Sequence, residues 1–277
     1  MSVREGIIPK PKASQQVYTK YVTVRNKKMI MTFHESDTSI TIYIGNSRIY
    51  CIDVQLLKKV NGEFYDQGHL TKIRWDRVCS LNDNFEKGTD SVMILKLILT
   101  YIFNTYPIKS MTFTDLSTKE CDDGSKINLA ALKYLTVGKT WYEDNFGASI
   151  DESSSVFYSS LLKQLTTKKL NTTWEQLRGY IPMKSIPIEE SKLQELYEKA
   201  GTWQEFFNPI LQELGKSRLC KIFSPWFDTF VMGFLRMNYI SLVYVLPIKD
   251  YGIRYTLSDY PQGGMRSKGK SRRTRKV

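Results

Sequence analysis

Three groups of residues in this 277-residue chain have types and spacings that could do chemistry. The first is Lys87-Gly88-Thr89-Asp90, a glycine turn at the head of a long apolar segment. A strand, a glycine loop and a helix start in succession leave backbone N–H groups and the positive end of the helix dipole facing outward. That arrangement receives an anion such as a phosphate. The second is Asp115, followed by Ser117, at the end of the stretch IKSMTFTDL. A carboxylate at the carboxyl end of a strand is a common ligand position in α/β sheets, and Asp with Ser is an equally common turn cap. The third is the C-terminal run QGGMRSKGKSRRTRKV, in which Arg266, Lys268, Lys270, Arg272, Arg273, Arg275 and Lys276 have no acidic neighbour. Such a run would meet polyanions through phosphate contacts and counterion release, giving affinity without sequence reading; nucleic acid is the expected partner.

Other chemistries find little footing. With only His34 and His69, a Ser-His-Asp or Cys-His arrangement has few candidates, and no GxSxG surrounds any serine. Walker, HExxH and EF-hand patterns are absent. Cys51, Cys79, Cys121 and Cys220 form no CxxC pair, so no metal site is expected. Scattered cysteines behind an N-terminus without an apolar core suggest a reducing, intracellular compartment. Of the formal net charge of +12, the seven tail cations account for more than half, leaving +5 on the body.

The elements that must position these groups follow from periodicity. Residues 1–16 read as a disordered leader and 261–277 as a disordered basic tail. Between them, 17–150 reads as an α/β domain and 151–260 as a helical region that returns one or two strands. Stretches 18–24, 28–34, 39–45, 48–57 and 69–75 are rich in β-branched and aromatic residues and are separated by turn chemistry, which predicts an antiparallel meander. Residues 90–104 are apolar nearly all round, so a buried helix is expected there, with Thr89 or Asp90 as its cap. The strand 108–116 after it implies a crossover and a parallel pair. Residues 129–135 form a short helix broken by Gly138, and TWYEDNFG (140–147) reads as an aromatic cluster closing a core. Helices are predicted over 153–170, 189–200, 202–214 with Pro209 kinking or shortening it, and 220–237. The stretch 238–248 is the strongest strand, with 252–258 as a candidate partner. The run 222–246 carries Pro225, Asp228, Arg236 and Asn238, too polar to cross a membrane.

Over residues 17–148 this order of elements resembles the GNAT superfamily of acetyl-CoA-dependent N-acetyltransferases. In that family an antiparallel meander precedes a Gln/Arg-x-x-Gly-x-Gly/Ala loop that cradles the cofactor pyrophosphate. The corresponding stretch here is Phe85-Glu86-Lys87-Gly88-Thr89-Asp90, followed by the helix, the strand and Tyr142-Glu143-Asp144-Asn145-Phe146-Gly147. The resemblance implies acetyl-CoA at Lys87, Gly88, Thr89 and Asp90, and Tyr142 as the general acid that protonates the leaving thiolate. The sequence departs from the pattern at Phe85, where the family has Gln or Arg, and at Asp90, where it has Gly or Ala. Asp90 would set a carboxylate against a dianion. The tail, with GKTWYEDNFG and this core, also resembles proteins of nucleocytoplasmic large DNA viruses that end in Gly-Gly-plus-basic tracts.

The expectation is therefore an α/β fold, with a meander leading into a partly parallel, acetyltransferase-like sheet with buried helices. Its function would be that of a non-catalytic or weakly catalytic viral binding or virion-associated factor with a polyanion-binding tail. One alternative is an active acetyl-CoA-dependent N-acyltransferase. Another is a protein-docking module at 151–260, suggested by Trp174, Trp203 and Trp226.

Overall fold

A computed structural model of the chain describes residues 15–45, 50–73, 79, 81, 84–86, 89–115, 117–166, 172–214, 218–235 and 243–260. Five strands open the fold: β1 Gln16–Val24, β2 Lys27–Glu35, β3 Ser39–Gly45, β4 Tyr50–Lys58 and β5 Phe64–Ile73. They form the predicted meander, each antiparallel to the next. The β1–β2 turn places Arg25 at φ 48° and Asn26 at φ 61°. Two successive left-handed residues make the tight turn whose twist matches a hairpin. The turn chemistry between the stretches 39–45 and 48–57 falls outside the described residues.

Helix α1, Thr89–Thr105, buries Ile94, Leu95, Leu97, Ile98, Leu99 and Ile102. It crosses over to β6, Ser110–Thr114, which lies parallel to β5 as the crossover requires. A short hairpin follows, β7 Thr118–Glu120 and β8 Lys126–Asn128, with Gly124, φ 80°, in its turn. Helix α2, Leu129–Val137, is capped by Asn128 and stopped at Gly138, φ 79°. Helix α3, Trp141–Phe146, leads to β9, Ser149–Ile150.

The helical region comprises α4 Glu152–Thr166, α5 Trp174–Arg178, α6 Glu190–Lys199, α7 Trp203–Leu214, α8 Leu219–Phe223 and α9 Phe227–Thr229. A π-helical turn, Phe230–Phe234, continues from α9. Helix α7 runs through Pro209, and the helix predicted over 220–237 is broken between α8 and α9, where Pro225 sits. Trp174, Trp203 and Trp226 are buried among Tyr197, Phe206, Phe207 and Phe230. They build this region's interior, so they no longer motivate a docking surface.

Strand β10, Val243–Pro247, inserts between β6 and β9, antiparallel to both. Strand β11, Thr256–Asp259, pairs with β1 at the far edge of the sheet rather than with β10 as its position in the chain suggests. Among the described residues the result is a nine-stranded, mostly antiparallel sheet in the order β11-β1-β2-β3-β4-β5-β6-β10-β9 with one parallel pair. Among the described residues no helix is long and apolar enough to cross a membrane.

The cysteines correct the sequence reading. Cys51 is bonded to Cys79 and Cys121 to Cys220, so all four are disulfide cysteines rather than the reduced thiols a reducing compartment would keep. Their partners lie on distant segments, which spacing alone does not pair.

Candidate functional site

Of the sequence candidates, Asp115 and Tyr142 lie past the end of β6, where the parallel pair finishes. Strands β5 and β6 pair only from Gln67 to His69 against Ser110 to Thr112. Beyond that rung β5 runs on to Ile73 and β6 to Thr114 without pairing to each other. Thr112 closes the last rung, its hydroxyl lying 2.6 Å from His69 Nδ1 and 3.3 Å from the Gly68 carbonyl. Gly68 is closely packed there: a Cβ would fall 2.7 Å from Met111 Sδ, 2.8 Å from Leu56 Cδ2 and 3.1 Å from the Gln55 carbonyl. Just past it, β5 carries one extra residue: Leu70 faces Val54 and Lys72 faces Asp53, so Thr71 is bulged. A bulge bends its strand and ends regular pairing. A right-handed crossover brings the start of the helix after β5 to the same end of the sheet as the close of β6.

At the start of α1, Asp90 is the second helical residue and is 6% exposed. Its carboxylate accepts from Lys27 Nζ at 2.6 Å and from the Glu86 backbone N–H at 2.8 Å, while its own N–H donates to the Glu86 carbonyl at 3.0 Å. It therefore does not act as the expected N-cap: the carboxylate bonds a residue before the helix, not an N–H inside it. The Lys27 ammonium and the Glu86 N–H hold the Asp90 carboxyl below the usual carboxylate range, with Arg25 contributing. Phe85 is buried, with Lys27 5.4 Å from its ring centre, so it serves packing rather than ligand contact. Thr89 is the first residue of α1; Lys87 and Gly88 lie outside the described residues.

At the close of β6, Asp115 is 4% exposed and accepts from the Ser117 N–H at 3.0 Å. Burial pushes its carboxyl up, against the Ser117 hydrogen bonds. Tyr142 packs its ring 4.2 Å from that of Phe113, two residues before Asp115. It is 7% exposed, and burial together with the nearby Asp115 charge pushes its phenol well up. Tyr142 is held there by α3, whose start is a full capping box of Thr140 and Glu143 and whose end is Gly147, φ 66°. Tyr158 of α4 donates to Glu143, which fixes α3 from the other side.

The structure thus brings Asp115 and Tyr142 together and ties Asp90 to β2 instead. The seven tail cations lie outside the described residues. Sequence reasoning missed Lys27, which stands 63 residues from Asp90 and carries no local signal. It also missed Tyr244 on β10, stacked on Phe113 at 5.2 Å, whose wholly buried hydroxyl has no hydrogen-bond partner among the described residues. The alternation in VYVLP marks Tyr244 as inward-facing, so that residue was readable. Among the described residues no cluster of three or more His, Cys, Asp or Glu could hold a metal. No protein-family model, curated protein or solved structure matches this chain.

Proposed function

We propose that this chain is an acetyltransferase-like protein of a large DNA virus that binds an acyl-CoA with little or no turnover and contacts a polyanion through its basic tail. The observation that carries the reading is the run β2-β3-β4-β5-β6-β10-β9, whose one parallel pair, β5 and β6, is joined through α1. An acyl-CoA would suit the start of α1 in charge. Asp90 is already neutralised by Lys27, and Arg25 adds a second cation nearby, so a pyrophosphate would not meet a bare carboxylate. The backbone of Lys87 to Asp90 would hold the phosphates. A bound acyl-CoA would supply a thioester, and Tyr142 would be the proton donor to its thiolate.

Low turnover follows from the surroundings of that donor. A general acid is most effective when its pKa lies near the working pH, and burial with Asp115 nearby moves the Tyr142 phenol the other way. The test is CoA release from acetyl-CoA across a panel of primary amines. The expected outcome is no saturable transfer, with Tyr142→Phe matching the wild type. Saturable, stoichiometric transfer that Tyr142→Phe abolishes would make the chain an active N-acyltransferase instead.

A further inference from the structure

Asp115 and Tyr142 are almost wholly buried, and so is Tyr244, stacked on Phe113 beside them. A ligand therefore reaches this group only when part of its surroundings moves. The chain that leaves Asp115 passes at once into the β7–β8 hairpin, and the two are coupled. Ser117, whose N–H donates to the Asp115 carboxylate, has its own carbonyl accepting from the Leu129 N–H at 3.0 Å, across the base of the hairpin. Ser117 and Leu129 thus form the neck of the loop 118–128. That loop has little to hold it by itself. Its strands are three residues each and pair with one another, apart from the nine-stranded sheet. Among their residues only Ile127 is buried. A two-stranded hairpin is marginal in water without such support. Two ties fasten it to the helical region. The Asn128 N–H donates to the Asp228 carboxylate at 3.3 Å, and Cys121, at the start of the turn, is bonded to Cys220 on α8. The two disulfides differ in access: Cys51 and Cys79 are wholly buried, whereas Cys220 is half-buried. Thiol exchange requires a thiolate to reach a sulfur, so access selects the bridge that opens in the folded chain.

We infer that the Cys121–Cys220 disulfide is a redox lock on the Asp115–Tyr142 site. Oxidised, it pins the β7–β8 hairpin and keeps the site closed; reduced, it frees the hairpin to swing about Ser117 and Leu129 and uncovers Asp115. This rests on the function proposed above only in taking Asp115 and Tyr142 as the site. The reductant is a dithiol. One of its thiolates attacks Cys220 Sγ, the more exposed sulfur, and Cys121 leaves as a thiolate. The second thiol of the reductant then displaces Cys220 from the mixed disulfide. Two electrons pass to the cysteines, the reductant ends as a disulfide, and its two protons go to the Cys121 and Cys220 thiolates. The buried Cys51–Cys79 bridge stays closed and keeps the approach to α1 in place.

The test is a time course of the full-length chain in dithiothreitol under native conditions. Aliquots are desalted, their free thiols are alkylated, and their accessible carboxyls are coupled to glycinamide with a water-soluble carbodiimide. Peptide mass spectrometry reads both labels. Asp90 is the internal control, since it is as buried as Asp115 but is held by Lys27. Cys121 and Cys220 should become alkylated at least about tenfold faster than Cys51 and Cys79. Asp115 labelling should rise on the same time course and fall back on reoxidation, while Asp90 stays unlabelled. The double variant Cys121→Ser/Cys220→Ser should label at Asp115 without reductant; if it does not fold, Asp90 labels as well and the wild-type time course decides. Earlier opening of Cys51–Cys79 would overturn the lock. So would an Asp115 that stays protected once Cys121 and Cys220 are reduced, or Asp90 labelling in step with Asp115, which is general unfolding. No arm of this test uses acyl-CoA. A chain that does not bind acyl-CoA would lose the proposed function and keep the lock, and a failed lock would leave acyl-CoA binding at the start of α1 as proposed.

Discussion

Asp90 and Asp115 are both buried aspartates at the same end of one sheet, yet they stand in opposite electrostatic states. Asp90, at the entry to α1, has a lysine and a backbone N–H as partners, and its carboxyl is held down. Asp115, at the exit of β6, has the Ser117 hydrogen bonds among the described residues, and burial pushes it up. The first is a latch that fastens α1 to β2. The second is a charge kept in the interior at a cost, next to Tyr142, and such unrelieved groups gather where chemistry or binding occurs. A disulfide accompanies each region: Cys51–Cys79 joins β4 to the approach to α1, and Cys121–Cys220 joins the hairpin beyond Asp115 to α8.

The largest expected effects come from the disulfides. Closing a longer loop removes more unfolded-state entropy, so the 99-residue separation of Cys121 and Cys220 should matter more than the 28 of Cys51 and Cys79. Replacing both cysteines by serine should cost about 4.7 kcal/mol in the first case and about 3.6 kcal/mol in the second. Denaturant unfolding of the two double variants measures the order; a larger loss at Cys51–Cys79 would show that packing at the α1 entry outweighs chain topology.

Next comes Asp90→Ala, which strands the Lys27 ammonium and the Glu86 N–H. Because Lys27 is 40% exposed, its charge is partly screened and the loss at pH 7 should be about 1–2 kcal/mol. Asp115→Asn should move stability the other way. The amide keeps an oxygen for the Ser117 N–H and removes the buried charge, so the melting temperature at pH 7 should rise. A fall would mean that Asp115 is stabilised as a carboxylate by a partner not identified above.

The smallest but most discriminating effects are in pH. For Asp90 the folded pKa lies below the unfolded one, so its contribution is full above the unfolded value near 4 and is lost as pH falls through the folded value. For Asp115 the folded pKa is the higher, so the folded state binds more protons between the two values and stability declines as pH rises through that window. Melting curves across pH 3 to 7 should therefore show Asp90→Asn flattening the acid limb, and Asp115→Asn gaining on the wild type as pH increases. Parallel profiles for the two variants would erase the distinction.

How much of this was legible in the sequence depends on how local each signal is. The meander, the buried α1, the parallel crossover and the Gly138 stop are written in runs of neighbouring residues, and the structure has all of them. Asp115 was legible as a candidate from its place at a strand end, whereas Tyr142 came only from the family resemblance, its own stretch reading as an aromatic cluster. The Lys27–Asp90 latch, both disulfides and the pairing of β11 with β1 join segments far apart in the chain, and no periodicity announces a distant partner. The break between α8 and α9 shows the opposite failure, where an apolar run reads as one helix and Pro225 divides it.

The account turns on whether the α1 entry binds an acyl-CoA. Thermal melting of the full-length chain with and without millimolar acetyl-CoA, beside Gly88→Glu, addresses this directly. Ligand at about 100 times its dissociation constant adds about 2.7 kcal/mol to the folded state, a shift of several degrees for a chain of this size. The account predicts that shift in the wild type and its loss in Gly88→Glu. An unshifted wild type, or an equal shift in both proteins, would contradict it.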